Sequence, residues 1–447
     1  MNNRKSVALH NLGCKVNSYE LDVLQQMLQE NGYAIVSFDE IADIYLVNTC
    51  SVTNIADRKS RQMLHKAKKR NPQAIVVAMG CYVQMNEEES LQDEMIDLLI
   101  GNNKKKDALS IIEQYCIMRE QEEVTKTLNH TTIINMDEPM EYEEMKRKQT
   151  GSNLRANVKI QDGCNQFCTY CIIPYARGRV RSRKIEDILE EVKQLVQNGY
   201  QEVVLTGIHI SSYGIDLEAD IALFNVIEMI HQIEGLERIR IGSLEPRIIT
   251  ESFVRGIRKL HKVCPHFHLS LQSGSDSVLK RMNRRYTSGE YYEKVKLLRK
   301  YLSYPAITTD LIVGFPGETK EEYEETIRFV EEVKFAEVHV FKYSKRKGTK
   351  AAVMPEQVAD QVKALRSETL IALTKQQARS YEQGWIGQEV WVLWEEVKVI
   401  EDKEYKVGYT KEYCKVAIPH DNNGINQIDH GVVKGHLTEG IMELYKN

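Results

Sequence analysis

The chain has 447 residues, 42% of them hydrophobic, and a formal net charge of −4. That length exceeds one core at ~100–200 residues per domain, so about three units are expected. The mild acidity excludes a histone-like basic protein, and any nucleic-acid contact has to come from local patches. No apolar run approaches the ~20 residues that span a bilayer, and "MNNRKSVALHNLGC" is charged and then strand-like rather than a secretory leader; a cytoplasmic location without a membrane partner is expected. Nine cysteines in a reducing compartment suit ligands, nucleophiles or core positions better than disulfides.

In residues 1–115 the apolar runs "SVALHNLG", "GYAIVSF", "DIYLVNTC", "AIVVAMGC" and "IDLLIGN" alternate with helical segments such as "SYELDVLQQMLQEN". This βα alternation predicts an open, mostly parallel sheet. Cys14, Cys50 and Cys81 each stand just past a strand end, after Gly or Thr. Strand ends of a parallel sheet converge on one edge, so the three thiols are expected to meet there and to hold a metal cluster; singly, each would read as a small core residue. Residues 116–149, including "MDEPMEYEEMKRKQTG", are charged and aperiodic, and read as a linker.

Residues 150–376 carry six candidate strands, "NVKIQ", "EVVLTG", "RIRIGS", "FHLSLQ", "ITTDLIVGF" and "EVHVFKYS", the first five each followed by a helical pattern. Six βα repeats are too few for a closed eight-fold barrel, so a partial (β/α)6 barrel is expected, with its site at the C-terminal strand ends. Residues 377–447 switch to short strands punctuated by Gly, Asn and Asp, as in a small β-barrel. There Tyr405, Tyr409 and Tyr413 interleave with Lys403, Lys406, Lys411 and Lys415, a mixture suited to RNA or to an ordinary solvated sheet.

Directly after the first barrel strand comes "QDGCNQFCTYCIIP", with Cys164, Cys168 and Cys171 in CxxxCxxC spacing. Three thiolates on a cubane [4Fe–4S] cluster leave one iron open, where four would close it. A bidentate amino-acid group can complete that iron, and S-adenosylmethionine offers one beside its sulfonium. With Tyr170 before the last cysteine and a βα barrel behind it, the motif resembles the radical S-adenosylmethionine superfamily. Candidate cofactor contacts lie at the strand ends: Thr206, Gly207, Ser243, Glu245, Gln272, Val313 and Gly314, all expected to face the barrel mouth. Arg284 or Arg285 can pair with the cofactor carboxylate. The superfamily's GGE stretch is absent, since the second strand ends in "LTGIHI".

"NLGCKVN", "VNTCSVTNIADRKSRQ", "GCYVQ", "DGCNQFCTYCIIPYARGRVRSR", "LQSGSDSVLKRMNRRYT" and "DLIVGFPGET" together resemble the methylthiotransferases over almost the whole chain, the C-terminal barrel resembling the TRAM RNA-binding module. The "NTCSVT…DRKSRQ" variant resembles the branch that modifies threonylcarbamoyladenosine beside the tRNA anticodon. The branches acting on isopentenyladenosine or on a ribosomal protein are the alternatives, and an inert iron–sulfur RNA-binding or redox-sensing protein is the non-enzymatic one. The resemblance implies two [4Fe–4S] clusters and two uses of S-adenosylmethionine. One donates a methyl group to sulfur at the cluster of Cys14, Cys50 and Cys81; the other yields the 5′-deoxyadenosyl radical at the cluster of Cys164, Cys168 and Cys171, which activates adenine C2. A tRNA anticodon stem-loop, a sulfur source and an electron donor are the implied partners, and a monomer is expected. Three basic runs, "DRKSRQMLHKAKKR", "ARGRVRSR" and "FKYSKRKGTK", suit phosphate contact. Cys116, Cys264, Cys414 and the histidines read as structural.

Overall fold

The computed structural model describes residues 5–121, 131–146, 155–218, 221–421, 425 and 427–446; part of the expected linker lies outside them. The N-terminal unit is a parallel sheet of β1 (Ser6–Asn11), β2 (Ala34–Val36), β3 (Ile44–Thr49), β4 (Ile75–Gly80) and β5 (Leu98–Ile100), in the order β2-β1-β3-β4-β5. In β3 and β4 every residue is buried, as a sheet covered on both faces requires. Leu24, Leu28 and Ile112 pack on one face, Leu64, Ala67 and Tyr82 on the other. The helix Ala108–Glu120 runs past residue 115.

The central unit contains β6 (Arg155–Asp162), a short antiparallel edge β7 (Arg181–Ser182), β8 (Glu202–Gly207), β9 (Arg238–Ile241), β10 (His266–His268), β11 (Ala306–Val313) and β12 (Glu337–Lys342). They pair as β7-β6-β8-β9 and β10-β11-β12, bridged by Ile239 with Val263 and Leu244 with Leu269. Alternation divides each strand. Val158, Leu205, Ile239, Leu269 and Leu311 join the core beneath the helices, so Asn157, Thr206, Arg240, His268 and Asp310 face the lumen.

The wall is open between β6 and β12, and the N-terminal unit fills the gap. Its helix Lys15–Glu30 packs on β6 and β8. There the buried Glu20 receives Lys105, Lys159 at 2.9 Å and Arg177 at 2.9 Å. At the other edge Arg346, just beyond β12, reaches Asp57 at 2.6 Å and Ser51 Oγ at 2.6 Å. The described part of the linker is bound into this junction: Glu144 pairs with Arg183, and Tyr19 donates to the Met145 carbonyl at 2.9 Å.

The helix Asp360–Gln383 crosses residue 376 and leads to a closed barrel, β13 (Glu389–Ile400), β14 (Lys403–Thr410), β15 (Lys415–Pro419), β16 (Ile428–Thr438) and β17 (Ile441–Tyr445), ordered β13-β14-β15-β17-β16. It docks under the starts of the central strands: Arg238 donates to the carbonyls of Trp391 at 2.8 Å and Tyr409 at 2.9 Å, and Arg155 meets Glu395 at 3.0 Å. Of the tyrosines left open between RNA contact and a solvated sheet, Tyr409 and Tyr413 serve neither, since they pack against the central unit. Tyr409 stacks on Tyr413 at 4.6 Å and Tyr413 on His266 at 5.1 Å, with Arg240 4.6 Å over the Tyr413 ring; these rings are spent on the domain junction. Lys406 is buried too, paired with Asp421.

Candidate functional site

Cys164, Cys168 and Cys171 lie in one loop at the C-terminal end of β6. Gly163 before them has φ +70°, and a Cβ there would stand 1.8 Å from the Arg179 carbonyl oxygen, so only glycine permits this approach. The loop is tied down by Cys164 N–H to the Gly178 carbonyl at 3.0 Å, Thr169 N–H to the Met282 carbonyl at 3.1 Å and Asn283 Nδ2 to the Phe167 carbonyl at 3.1 Å. Phe167 and Asn283, at φ 49° and 59°, carry left-handed backbone, strain of the kind that collects at functional sites. Burial and the neighbouring thiols push Cys171 up to about 12, and burial pushes Cys164 up to about 11. Three thiols converging in one loop form a donor set matched to a cationic metal cluster, whose binding displaces thiol protons. Arg284 donates from Nη1 to Cys168 Sγ at 3.2 Å. Its guanidinium, half-buried, lies over the Tyr286 ring at 4.9 Å.

The candidate cofactor contacts divide. Tyr170 is half-buried, edge-on to Phe315 at 6.4 Å. Thr206 and Gly207 end β8, and a Cβ on Gly207 would meet the Gln161 carbonyl oxygen at 2.8 Å. Ser243 is exposed after β9, and Glu245 accepts Arg247 Nε at 2.7 Å. Gln272 has φ 77° and exchanges backbone hydrogen bonds with Asp310 and Ile312, both 2.9 Å. Val313 departs from expectation: its side chain is buried in the helix-side core because it shares the parity of Leu311, and only its backbone borders the mouth. Gly314 has φ +71° and donates to Glu318 Oε1 at 2.8 Å. Arg285 is exposed, whereas Arg284 is at the thiols.

Cys14, Cys50 and Cys81 follow β1, β3 and β4, three strands adjacent in the sheet. A Cβ on Gly13 would stand 3.0 Å from Cys50 Sγ, which places the first two cysteines side by side. Burial raises the Cys50 thiol to about 11, with smaller contributions from Cys81 and Cys14. Asn102 Nδ2 lies 3.5 Å from Cys81 Sγ and also donates to the Ala176 carbonyl at 2.7 Å, tying this triad to the helix after Cys171. Asn17 Nδ2 donates to the carbonyls of Leu12 at 2.8 Å and Thr49 at 3.0 Å. Asn17, one helical turn beyond Cys14, had a readable spacing; Asn102 offered no signal. The donor types fit a second cluster as they do the first.

The basic runs separate as well. In "ARGRVRSR" Arg177, Arg181 and Arg183 are buried in ion pairs, and only Arg179 is exposed, 4.6 Å over Phe167. This corrects the reading of that run as a phosphate surface. The helix Asn54–Arg70 keeps Arg58, Lys66 and Lys69 exposed along a groove of about 430 Å³, with Lys59 exposed beside them on the same helix. Its first turn meets the segment after β12, Asn54 Nδ2 donating to the Lys345 carbonyl at 3.0 Å, with Lys342, Lys345, Lys347 and Lys350 exposed nearby. Among the histidines read as structural, His209 at the mouth is pushed down to about 4 by burial. His268, Asp310 and His339 bring their polar atoms within 4.8 Å of one another on the lumen wall.

Residues 158–330 match the radical SAM superfamily, and residues 6–101 match the Uncharacterized protein family UPF0004. The threonylcarbamoyladenosine tRNA methylthiotransferase of Bacillus subtilis is 41% identical over 95% of this chain and 92% of its own, and that of Aquifex aeolicus 39% identical over 87% and 92%. A tRNA-2-methylthio-N(6)-dimethylallyladenosine synthase from Thermoanaerobacter pseudethanolicus is 42% identical over 81% and 76%. In fold, the chain is similar to the radical S-adenosylmethionine methyltransferase TsrM from Kitasatospora setae, at TM-score 0.57 and 14% identity, over 78% of this chain and 77% of that one. With relatives about 40% identical over most of the chain, strand-end thiols in both matched regions and a partial βα barrel in the second, the chain belongs to the radical S-adenosylmethionine methylthiotransferase family.

Proposed function

We infer that this chain is a tRNA methylthiotransferase that converts N6-threonylcarbamoyladenosine next to the anticodon to its 2-methylthio derivative. The choice of nucleoside is supported by identity at near full length, 41% over 95% of the chain for the threonylcarbamoyladenosine enzyme of Bacillus subtilis against 37% for a dimethylallyladenosine relative matched over 98%. The observation that carries the chemistry is the convergence of two three-thiol sets on one barrel, the second set on the unit that fills the barrel's open side. Its cofactors are two [4Fe–4S] clusters and S-adenosylmethionine, with Cys164, Cys168 and Cys171 holding one cluster and Cys14, Cys50 and Cys81 the other. When bound, they supply radical and sulfur chemistry that an adenine C2–H bond, inert to polar reagents, requires.

The protein's part is position and exclusion of water. Arg284 neutralises charge at Cys168 and stands where a cofactor carboxylate can meet its guanidinium. Thr206, Gly207, Ser243, Glu245, Gln272 and the backbone of Val313 border the mouth around it, with Tyr170 as its apolar wall. Residues 1–115 bring the second cluster, 150–376 the barrel, and 377–447 its floor and further RNA surface. One copy carries both thiol sets, so the chemistry requires no second chain. The exposed cations of Asn54–Arg70 and of the segment after β12 flank the mouth and suit an anticodon loop with splayed bases. The test is anaerobic: the reconstituted chain, S-adenosylmethionine, dithionite and tRNA bearing threonylcarbamoyladenosine should give 5′-deoxyadenosine and the methylthiolated nucleoside by mass spectrometry. Cys168→Ala should give neither, and RNA binding without 5′-deoxyadenosine from the wild type would leave only an inert binding protein.

A further inference from the structure

Lys15 follows Cys14 and opens the helix Lys15–Glu30. Its side chain is exposed, and its helix packs on β6 and β8, whose lumen faces alternation gives to Arg155 and Glu202. The space it is exposed to is therefore the barrel lumen. Arg155 already holds Glu395 at 3.0 Å, and Arg240 holds Glu202 at 2.7 Å. Lys15 has no ion pair or hydrogen-bond acceptor for its ammonium among the described residues. An exposed cation that faces the lumen without a partner, beside two cations that have theirs, is free to take an incoming anion. Across the lumen His268 and His339, ring centroids 6.1 Å apart, offer further polar contacts, with Asp310 3.4 Å from His268.

The threonylcarbamoyl group carries a carboxylate, whereas a dimethylallyl group is a neutral hydrocarbon. Both hang on adenine N6, and N6 and C2 flank N1 on one edge of the ring. Whatever reads the N6 substituent must therefore stand beside the group that delivers sulfur to C2, as the residue after Cys14 does. Resting on the functional reading above, we propose that Lys15 is the specificity-determining residue that receives the carboxylate of the threonylcarbamoyl group. A hydrocarbon in its place leaves the ammonium unpaired, which rejects the neutral nucleoside by cost as well as selecting the anionic one by attraction.

The test uses the full reconstituted chain and anticodon stem-loop RNAs that differ at one nucleoside: threonylcarbamoyladenosine, its methyl ester, or unmodified adenosine. Fluorescence anisotropy should show the wild type binding the acid about tenfold more tightly than the ester. Lys15→Gln should bind acid and ester alike, and Lys15→Arg should keep the preference; iron content and affinity for the unmodified loop serve as fold controls. A Lys15→Gln protein that still prefers the acid, or a wild type indifferent to esterification, overturns the proposal while methylthiolation of the acid substrate stands. A wild type that methylthiolates none of these RNAs overturns the functional reading on which it rests.

Discussion

A guanidinium 3.2 Å from Cys168 Sγ bears on the electronics of whatever that sulfur binds. A cationic donor stabilises the more negative, reduced form of a thiolate-held cluster, and hydrogen bonds to such sulfurs are among the levers that set its potential. Arg284→Met keeps the apolar stem and removes the donor, so the barrel cluster's potential should move to a more negative value, read by spectroelectrochemistry on a protein lacking Cys14, Cys50 and Cys81. An unchanged potential would reduce Arg284 to a packing residue. The same scale shows where side-chain identity was legible. The six cysteines could be read because ligand chemistry restricts the residue type, whereas the settings of Val313, Tyr409 and Tyr413 could not, since which way a strand residue faces depends on register and on what docks beneath it.

The helix Lys15–Glu30 joins two units through a carboxylate with no solvent access. Burial alone would raise the Glu20 carboxyl, but Arg177, Lys105 and Lys159 outweigh it and hold it well below its ordinary 4.5. Asp162, among the same cations, is lowered likewise. Groups with depressed folded values contribute stability fully above the ordinary carboxylate range and lose it as pH falls through the folded values. Acid should therefore begin to loosen this junction below about pH 4, and Glu20→Gln should flatten that dependence while costing about 3–5 kcal/mol at neutral pH, because it strands buried cations. Urea unfolding across a pH series measures both; equal acid slopes in the two proteins would exclude Glu20 as the source. At this scale the strands and helices were legible from periodicity, and the six barrel strands stand where the apolar runs lie. The antiparallel β7, only two residues long, and β17, within "GIMELYKN", carried too little pattern. The burial of Arg177, Arg181 and Arg183 was hidden because their partners, Glu20, Asp162, Glu144 and Glu191, are scattered along the chain.

Net charge and local charge point in opposite directions over the whole molecule. A chain of net charge −4 repels a polyanion at long range, so binding has to rest on a few cations released from internal pairing. Arg61 leans on Glu89 at 3.3 Å and Lys66 on Asp39 at 2.9 Å, whereas Arg58, Lys59 and Lys69 hold no ion pair among the described residues. These three lie on the one helix whose first turn is fastened beside the barrel mouth, where exposed Val52 and Ile55 add apolar surface for unstacked bases. Each phosphate that the protein no longer neutralises makes the slope of log K against log salt shallower by about 0.7–0.9. The triple variant Arg58→Ala, Lys59→Ala, Lys69→Ala should therefore bind tRNA with a salt slope shallower by about 2 to 3 than the wild type, measured from roughly 50 to 200 mM salt, the window over which phosphate-driven binding weakens steeply. Production of 5′-deoxyadenosine without RNA should persist, because none of the three touches either thiol set. An unaltered salt slope would move the RNA to another face of the molecule, and the cations after β12 would be the next to neutralise.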